Sequence, residues 1–184
     1  MMKVASWLAG AAAFLIAGAG GAQEKVAVVV PAVLDPAAPI AEGVRQQCNV
    51  QTSVGTQVFE RVSQRYPGAA QVQDASKAPP DTAVLKVTLT SVLGVGGGGW
   101  SGRKSMTVRA ELLQGTKLLI AHTLSRQSGG GVLGGVSGTC AIMDRIAEAL
   151  GRDVGAWLPA ALLMVQMEAA QKQDPPKPQE PQKQ

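Results

Sequence analysis

Residues 82–127 read TAVLKVTLTSVLGVGGGGWSGRKSMTVRAELLQGTKLLIAHTLSRQ, and their reading decides the fold. From Ala83 to Leu93, Leu85, Val87, Leu89 and Leu93 fall on one side of a pleated chain. Lys86, Thr88 and Thr90 fall on the other. Period two with β-branched residues predicts a half-buried strand. Residues 105–115 repeat the pattern, with Met106, Val108, Ala110 and Leu112 opposite Thr107, Arg109 and Glu111. Gly115 then turns the chain into a third strand, in which Leu118, Ile120, His122 and Leu124 share a face. Short connections make these strands antiparallel neighbours. One face is apolar and the other polar, so a single layer of helices should cover the apolar side. The polar face is left for water or a partner.

Upstream, Lys25–Leu34 (KVAVVVPAVL) is a continuous apolar run of strand length, interrupted by Pro31, which cannot donate to a ladder. Asp35–Gly43 carries two prolines and reads as a loop. A helix follows, capped by Thr52 or Ser53. Val54, Val58, Val62 and Tyr66 lie on one side with Phe59 beside them, and Pro67-Gly68 ends it. Gln71–Asp81 is polar and holds Pro79-Pro80, which allows a short edge strand at most and then a connector.

Downstream, QSGGGVLGGVSGT (127–139) reads as a glycine-rich link. Thr139 caps a second helix, in which Ile142, Ile146, Leu150, Val154 and Trp157 share a face with Met143 and Leu158 alongside. Pro159 suits the first turn of a third, short helix, ALLMVQMEAAQ. In it Leu162, Leu163, Met164, Val165 and Met167 read as core, with an interaction surface as the alternative. The predicted fold is α+β in the order β-α-β-β-β-α. It has a mostly antiparallel sheet of three to four strands and two long helices packed on one face.

The start, MMKVASWLAGAAAFLIAGAGGAQ, combines Lys3, an apolar stretch and Gly20-Gly21-Ala22. This is the pattern of a secretory signal peptide over residues 1–22, cut after Ala22, with an uncleaved anchor helix as the alternative. Residues 23–170 then form one domain, and 171–184 a disordered tail of Pro, Gln and Lys. Losing Lys3 leaves 16 basic against 13 acidic residues, a scattered net +3 that argues neither for nor against nucleic acid, which an exported protein rarely meets. Aromatic residues are 3% of the chain, too few for stacking platforms.

Cys48 and Cys140 both follow the cut, and in an oxidising compartment such a pair bonds. The closed loop would contribute up to ~4–5 kcal/mol in the chain-entropy model. The alternatives are two buried thiols or a zinc site. With a single histidine, His122, a zinc site lacks ligands. The bond would bring the starts of the two long helices together.

No motif points to catalysis or a cofactor. Residues 94–99 and 129–134 both match GxGxxG. The first leads into a strand, and four further residues, 135–138, separate the second from its helix. GGGWSGRKS resembles a P-loop with an extra Arg103 and no helix after it. His122 on an apolar strand face reads as a core residue, and no G-x-S-x-G elbow is present. Trp100, at the tip of GVGGGGWSGRK and followed by Arg103 and Lys104, has the residues for contact with membrane headgroups or a protein partner. The alternative is that Trp100 folds back and plugs the end of the core.

The export signal, the element order and the alternating strands resemble a class of small bacterial envelope proteins. The amino-terminal domain of the Tol-system periplasmic protein and the curli-secretion lipoprotein belong to it. The resemblance covers Lys25 to Leu158 in layout. It shares no diagnostic motif, lacks the lipoprotein's amino-terminal cysteine, and carries over no functional residue. It implies a non-catalytic accessory or assembly role at the envelope. With no catalytic, metal or cofactor motif in the chain, the expectation is a periplasmic binding protein whose partner is another envelope protein, engaged by the sheet's polar face, an open strand edge or the Trp100 loop. A small apolar-ligand or lipid carrier is the alternative.

Overall fold

The computed structural model describes residues 25–94, 103–128 and 138–173. The expected signal segment, the Trp100 tip, most of the second glycine-rich link and residues 174–184 lie outside the described residues.

The expected meander is present. Strands β4 (Ala83–Leu93), β5 (Ser105–Gln114) and β6 (Lys117–Gln127) pair antiparallel in that order. Gly115 makes the β5–β6 turn at φ +59°, a left-handed conformation that glycine adopts without steric cost.

The sheet is larger and more mixed than three or four antiparallel strands. β1 (Val26–Val29) lies parallel to both β3 (Ala70–Val72) and β4, giving the order β3-β1-β4-β5-β6. β2 (Val33–Leu34), beyond Pro31, also runs parallel to β4. The parallel half has a physical cause. β1 is buried along its whole length, so both of its sides must be paired. The helix after it returns the chain in the same direction.

Two further corrections concern helices. The proline-containing loop ends earlier than expected, and a short helix α1 (Glu42–Gln47) precedes Cys48, held down by buried Val44. Helix α2 (Val50–Arg65) therefore begins at Asn49 rather than at Thr52 or Ser53. The predicted second and third helices are one element, α3 (Thr139–Gln173), with Pro159 inside it. Leu150, Val154 and Leu158 before the proline and Ala161 and Leu162 after it share one buried stripe. That burial outweighs the one hydrogen bond a mid-helix proline removes.

α2 and α3 start together and run side by side. Cys48 and Cys140 are disulfide-bonded, 92 residues apart in sequence, with their Cα atoms 5.3 Å apart. Beyond the bond, the Ser53 hydroxyl donates to Asp144 Oδ1 at 2.8 Å, and Arg61 pairs with Glu148 at 3.4 Å. The spacing is close because α3 presents Gly151 and Gly155 to α2. A methyl at Gly151 would come within 2.8 Å of the Gln57 carbonyl oxygen. Gly55 does the same for α2 against the β1–β2 link, where a Cβ would lie 2.7 Å from the Ala32 nitrogen.

The main core lies between these helices and the sheet, from Val54, Val58 and Val62 across to Leu85, Leu89, Val108 and Leu112. A second, smaller cluster of Ala27, Val29, Val84 and Leu113 occupies the opposite face. The 3₁₀ turn Ala75–Lys77 lies beside it, with Ala75 and Ala78 packed against the cluster.

Two strand residues do not lie where strict alternation puts them. The β4–β5 register shifts between Leu89 and Ser91, so Val92 turns into the core and Leu93 is half exposed. The β5–β6 register shifts between Leu112 and Leu113, so Leu118 pairs with Leu113 while Ile120 pairs with Leu112. Leu118 thus leaves the face of Ile120, His122 and Leu124. Each bulge adds one residue, and one residue reverses every side chain beyond it.

Candidate docking surface at the sheet edge

The sheet ends in strands of very different length. β3 has three residues, whereas β6 has eleven and is the last strand in the pairing order. Among the described residues no strand pairs with the outer side of β6. An uncovered edge strand presents a row of backbone donors and acceptors that a further strand can complete. Most of β6 is exposed, and its remaining residues are only half-buried.

Three features hold this edge in place. At one end the Arg126 guanidinium grips the Asp153 carboxylate of α3, with Nη2 2.7 Å from Oδ1. That hydrogen bond, together with the charge of Asp153, raises the pKa of Arg126. In the middle the His122 ring stacks on Trp157 of α3, centroids 5.9 Å apart and planes 18° from parallel. Near the other end the bulge carries Leu119 to the helix side, where with Leu112, Leu162 and Val165 it lines a shallow cleft. Lys25 and Asp81 pair at the mouth of that cleft. Hydrogen bonding from Lys25, and then its charge, keeps Asp81 below the ordinary carboxylate pKa.

The polar face of the same strands is largely self-satisfied. Glu111 accepts from Arg109 at 3.0 Å and lies 3.5 Å from the Lys86 ammonium. Thr107 and Ser125 bond hydroxyl to hydroxyl at 3.1 Å. These side chains bond one another, though the buried Thr88 hydroxyl on the same face has no partner among the described residues, whereas the outer edge of β6 offers its backbone.

The residues expected to make partner contact separate. Trp100 lies outside the described residues. Arg103 is exposed and lines a second shallow cleft with Ile40, Glu42 and Leu93. Lys104 is buried, so its side chain does not join Arg103 at the surface. The reason is strand parity: Lys104 shares the inward face of Met106 and Val108. Its carbonyl accepts from the Ser128 amide at 2.8 Å, tying the start of β5 to the end of β6. His122 lies on the helix-covered face, as expected, but at the rim, where it is exposed rather than in the core. Cys48 and Cys140 pair as expected.

The five apolar residues expected in the core, with an interaction surface as the alternative, divide between the two. Leu162 and Val165 pack inward, while Leu163, Met164 and Met167 are 57%, 58% and 55% exposed. The available signal was that residues 160–165 are apolar all round, wider than one buried stripe requires. Among the described residues no helix is long and apolar enough to cross a membrane. No group of three or more His, Cys, Asp or Glu there could hold a metal ion.

No family model matches the chain, and no curated protein matches it. Solved structures do. A Helicobacter pylori protein described as a neuraminyllactose-binding hemagglutinin homolog superposes with a TM-score of 0.54 at 11% identity, covering 82% of this chain and 91% of its own. The PelC dodecamer of Paraburkholderia phytofirmans gives 0.45 at 14% identity, covering 69% and 85%. A minor lipoprotein of Acinetobacter baumannii gives 0.38 at 14% identity, covering 75% and 94%. All three come from bacteria, and the chain shares its fold with the Helicobacter protein.

Proposed function

We propose that this chain is an exported, non-catalytic binding or assembly domain of the bacterial cell envelope, and that it takes an extended segment of another envelope protein onto the outer edge of β6. The observation that carries the reading is the eleven-residue open strand, anchored to α3 at Arg126 and His122 and lying opposite a three-residue edge. Strand addition draws affinity from main-chain hydrogen bonds and specificity from alternate side-chain sites. The Cys48–Cys140 bond supports an exported setting, because disulfides persist in oxidising compartments. It agrees with the signal-peptide pattern of residues 1–22.

A photoreactive residue at Thr123, on the exposed edge, tests this in living cells, with Gln64 of α2 as the exposed control. The expected result is a discrete crosslinked species from position 123 and none from 64. Equal labelling at both positions, or none at 123, would count against the edge.

The cleft beneath Leu119 favours a second reading, the apolar-ligand carrier. Its floor is Leu112 and Leu162, its sides are Val165 and Leu119, and the Lys25–Asp81 pair at its mouth suits a polar headgroup. Native mass spectrometry of protein purified from its own host should show a bound apolar molecule on this reading. A bare mass removes it.

A further inference from the structure

Five of the exposed apolar residues of α3 form one ordered series, with Met164 beside it. Ala156, Ala160, Leu163, Met167 and Ala170 are all exposed and recur at intervals of four, three, four and three. That is the spacing of a coiled-coil seam, which keeps one stripe facing a partner helix. The buried stripe through Val154, Leu158 and Ala161 lies on the opposite side of the helix. The seam is therefore not needed by the core.

We propose that this seam docks a second copy of the same chain, with the two α3 helices antiparallel. Side-chain size carries the choice. In one antiparallel register Ala160 meets the copy's Leu163, and Ala156 meets the copy's Met167. The four layers between Ala156 and Met167 then each pair a small residue with a large one, and layer volume stays constant; Ala170 falls beyond them, level with the copy's Asp153. A parallel pair would set Met167 on Met167 and Ala160 on Ala160, alternately crowded and empty, and both conditions cost packing energy.

Charge agrees with this choice. No residue from Val154 to Met167 is charged, so two copies meet without repulsion. A lipid surface fits less well, because membrane-lying helices carry basic residues beside the apolar face. Here the flanking Lys172 is held by Glu168 at 2.6 Å. The seam spans ~21 Å of helix at 1.5 Å per residue. Two such stripes bury on the order of 1,000 Å² in total, the low end for a specific interface and the size of a weak, reversible one.

Sedimentation equilibrium of the full exported chain tests the proposal. A monomer–dimer equilibrium is expected, and Leu163→Glu with Met167→Glu should weaken it at least ~tenfold, since each charge would be buried against apolar groups. Leu118→Glu, on the sheet, should leave it unchanged. A monomer at every concentration, or an equilibrium indifferent to the seam substitutions, overturns the proposal. So does flotation of monomeric protein with anionic vesicles, which would assign the stripe to lipid. Should the double variant fail to fold, single cysteines decide. Ala160→Cys mixed with Leu163→Cys should form an inter-chain disulfide faster than either variant alone; equal rates overturn the register. The β6 crosslink is read at another surface, so either result stands without the other.

Discussion

The two halves of α3 solve opposite problems with one continuous helix. The first half, through Leu158, is closed in. It begins at a disulfide, lays Gly151 and Gly155 against α2, and sends Ile146, Leu150 and Val154 into the core. The second half, from Pro159 on, keeps its inward stripe only as far as Val165 and turns Leu163, Met164 and Met167 outward. Similar apolar residues build both halves. What differs is which sides of the helix the rest of the protein covers, so hydrophobic composition alone does not separate a core helix from a docking helix.

Breaking the closed half should have the largest effects. Replacing Cys48 and Cys140 by Ala should cost up to ~4–5 kcal/mol, because the bond closes a long loop, and urea unfolding would measure it. Leu158→Ala should cost ~2–5 kcal/mol as a cavity in a fully buried site. Gly151→Ala should cost ~1–3 kcal/mol, because the new methyl meets the Gln57 backbone rather than a side chain able to move aside. On the open half, Leu163→Ser or Met167→Ser should change the stability of dilute protein by no more than about 0.5 kcal/mol. If either cost as much as Leu158→Ala, the distinction between the halves would collapse.

Two smaller measurements sharpen the comparison. His122→Ala removes one stacked ring pair and should cost no more than ~1.5 kcal/mol, with a change in the fluorescence of Trp157. The acid response should be slight. Asp81 and Glu168 have pKa values lowered by hydrogen bonds from Lys25 and Lys172, in that order. Their contribution is present above the unfolded values, which are 3.8 for Asp81 and 4.5 for Glu168. It is lost as pH falls through the lower folded values. Both groups are fully exposed, so a steep loss of stability between pH 6 and 5, checked by thermal melts, would require some other group.

The meander was legible because β4, β5 and β6 alternate over ten or eleven residues each, long enough for the period to outweigh exceptions. The exceptions were the bulges. Nothing in Leu89-Thr90-Ser91 or Leu118-Leu119-Ile120 marks an inserted residue, so Leu93 and Leu118 were put on the wrong face. β1 and β3 read as a strand and a possible edge strand, but their parallel pairing depends on where α2 returns the chain. Pro159 was read as a boundary because local propensity disfavours proline in a helix, whereas the buried stripe on both sides of it carries the helix through. Of the candidate surface, the paired cysteines were legible. That a strand edge is open to a partner was legible too; that it is the outer edge of β6 was not, since an edge is defined by the neighbour a strand lacks.

The bond between Cys48 and Cys140 has one more consequence. Everything from α2 to the end of β6 lies within a covalent ring, while β1, β2 and α1 precede it and α3 from Ala141 onward follows it. A protease that cuts once anywhere inside that ring opens it but releases nothing. The cut molecule keeps its mass, apart from one added water, until a reductant separates the pieces, so a nicked population would pass unnoticed on any gel run without thiol.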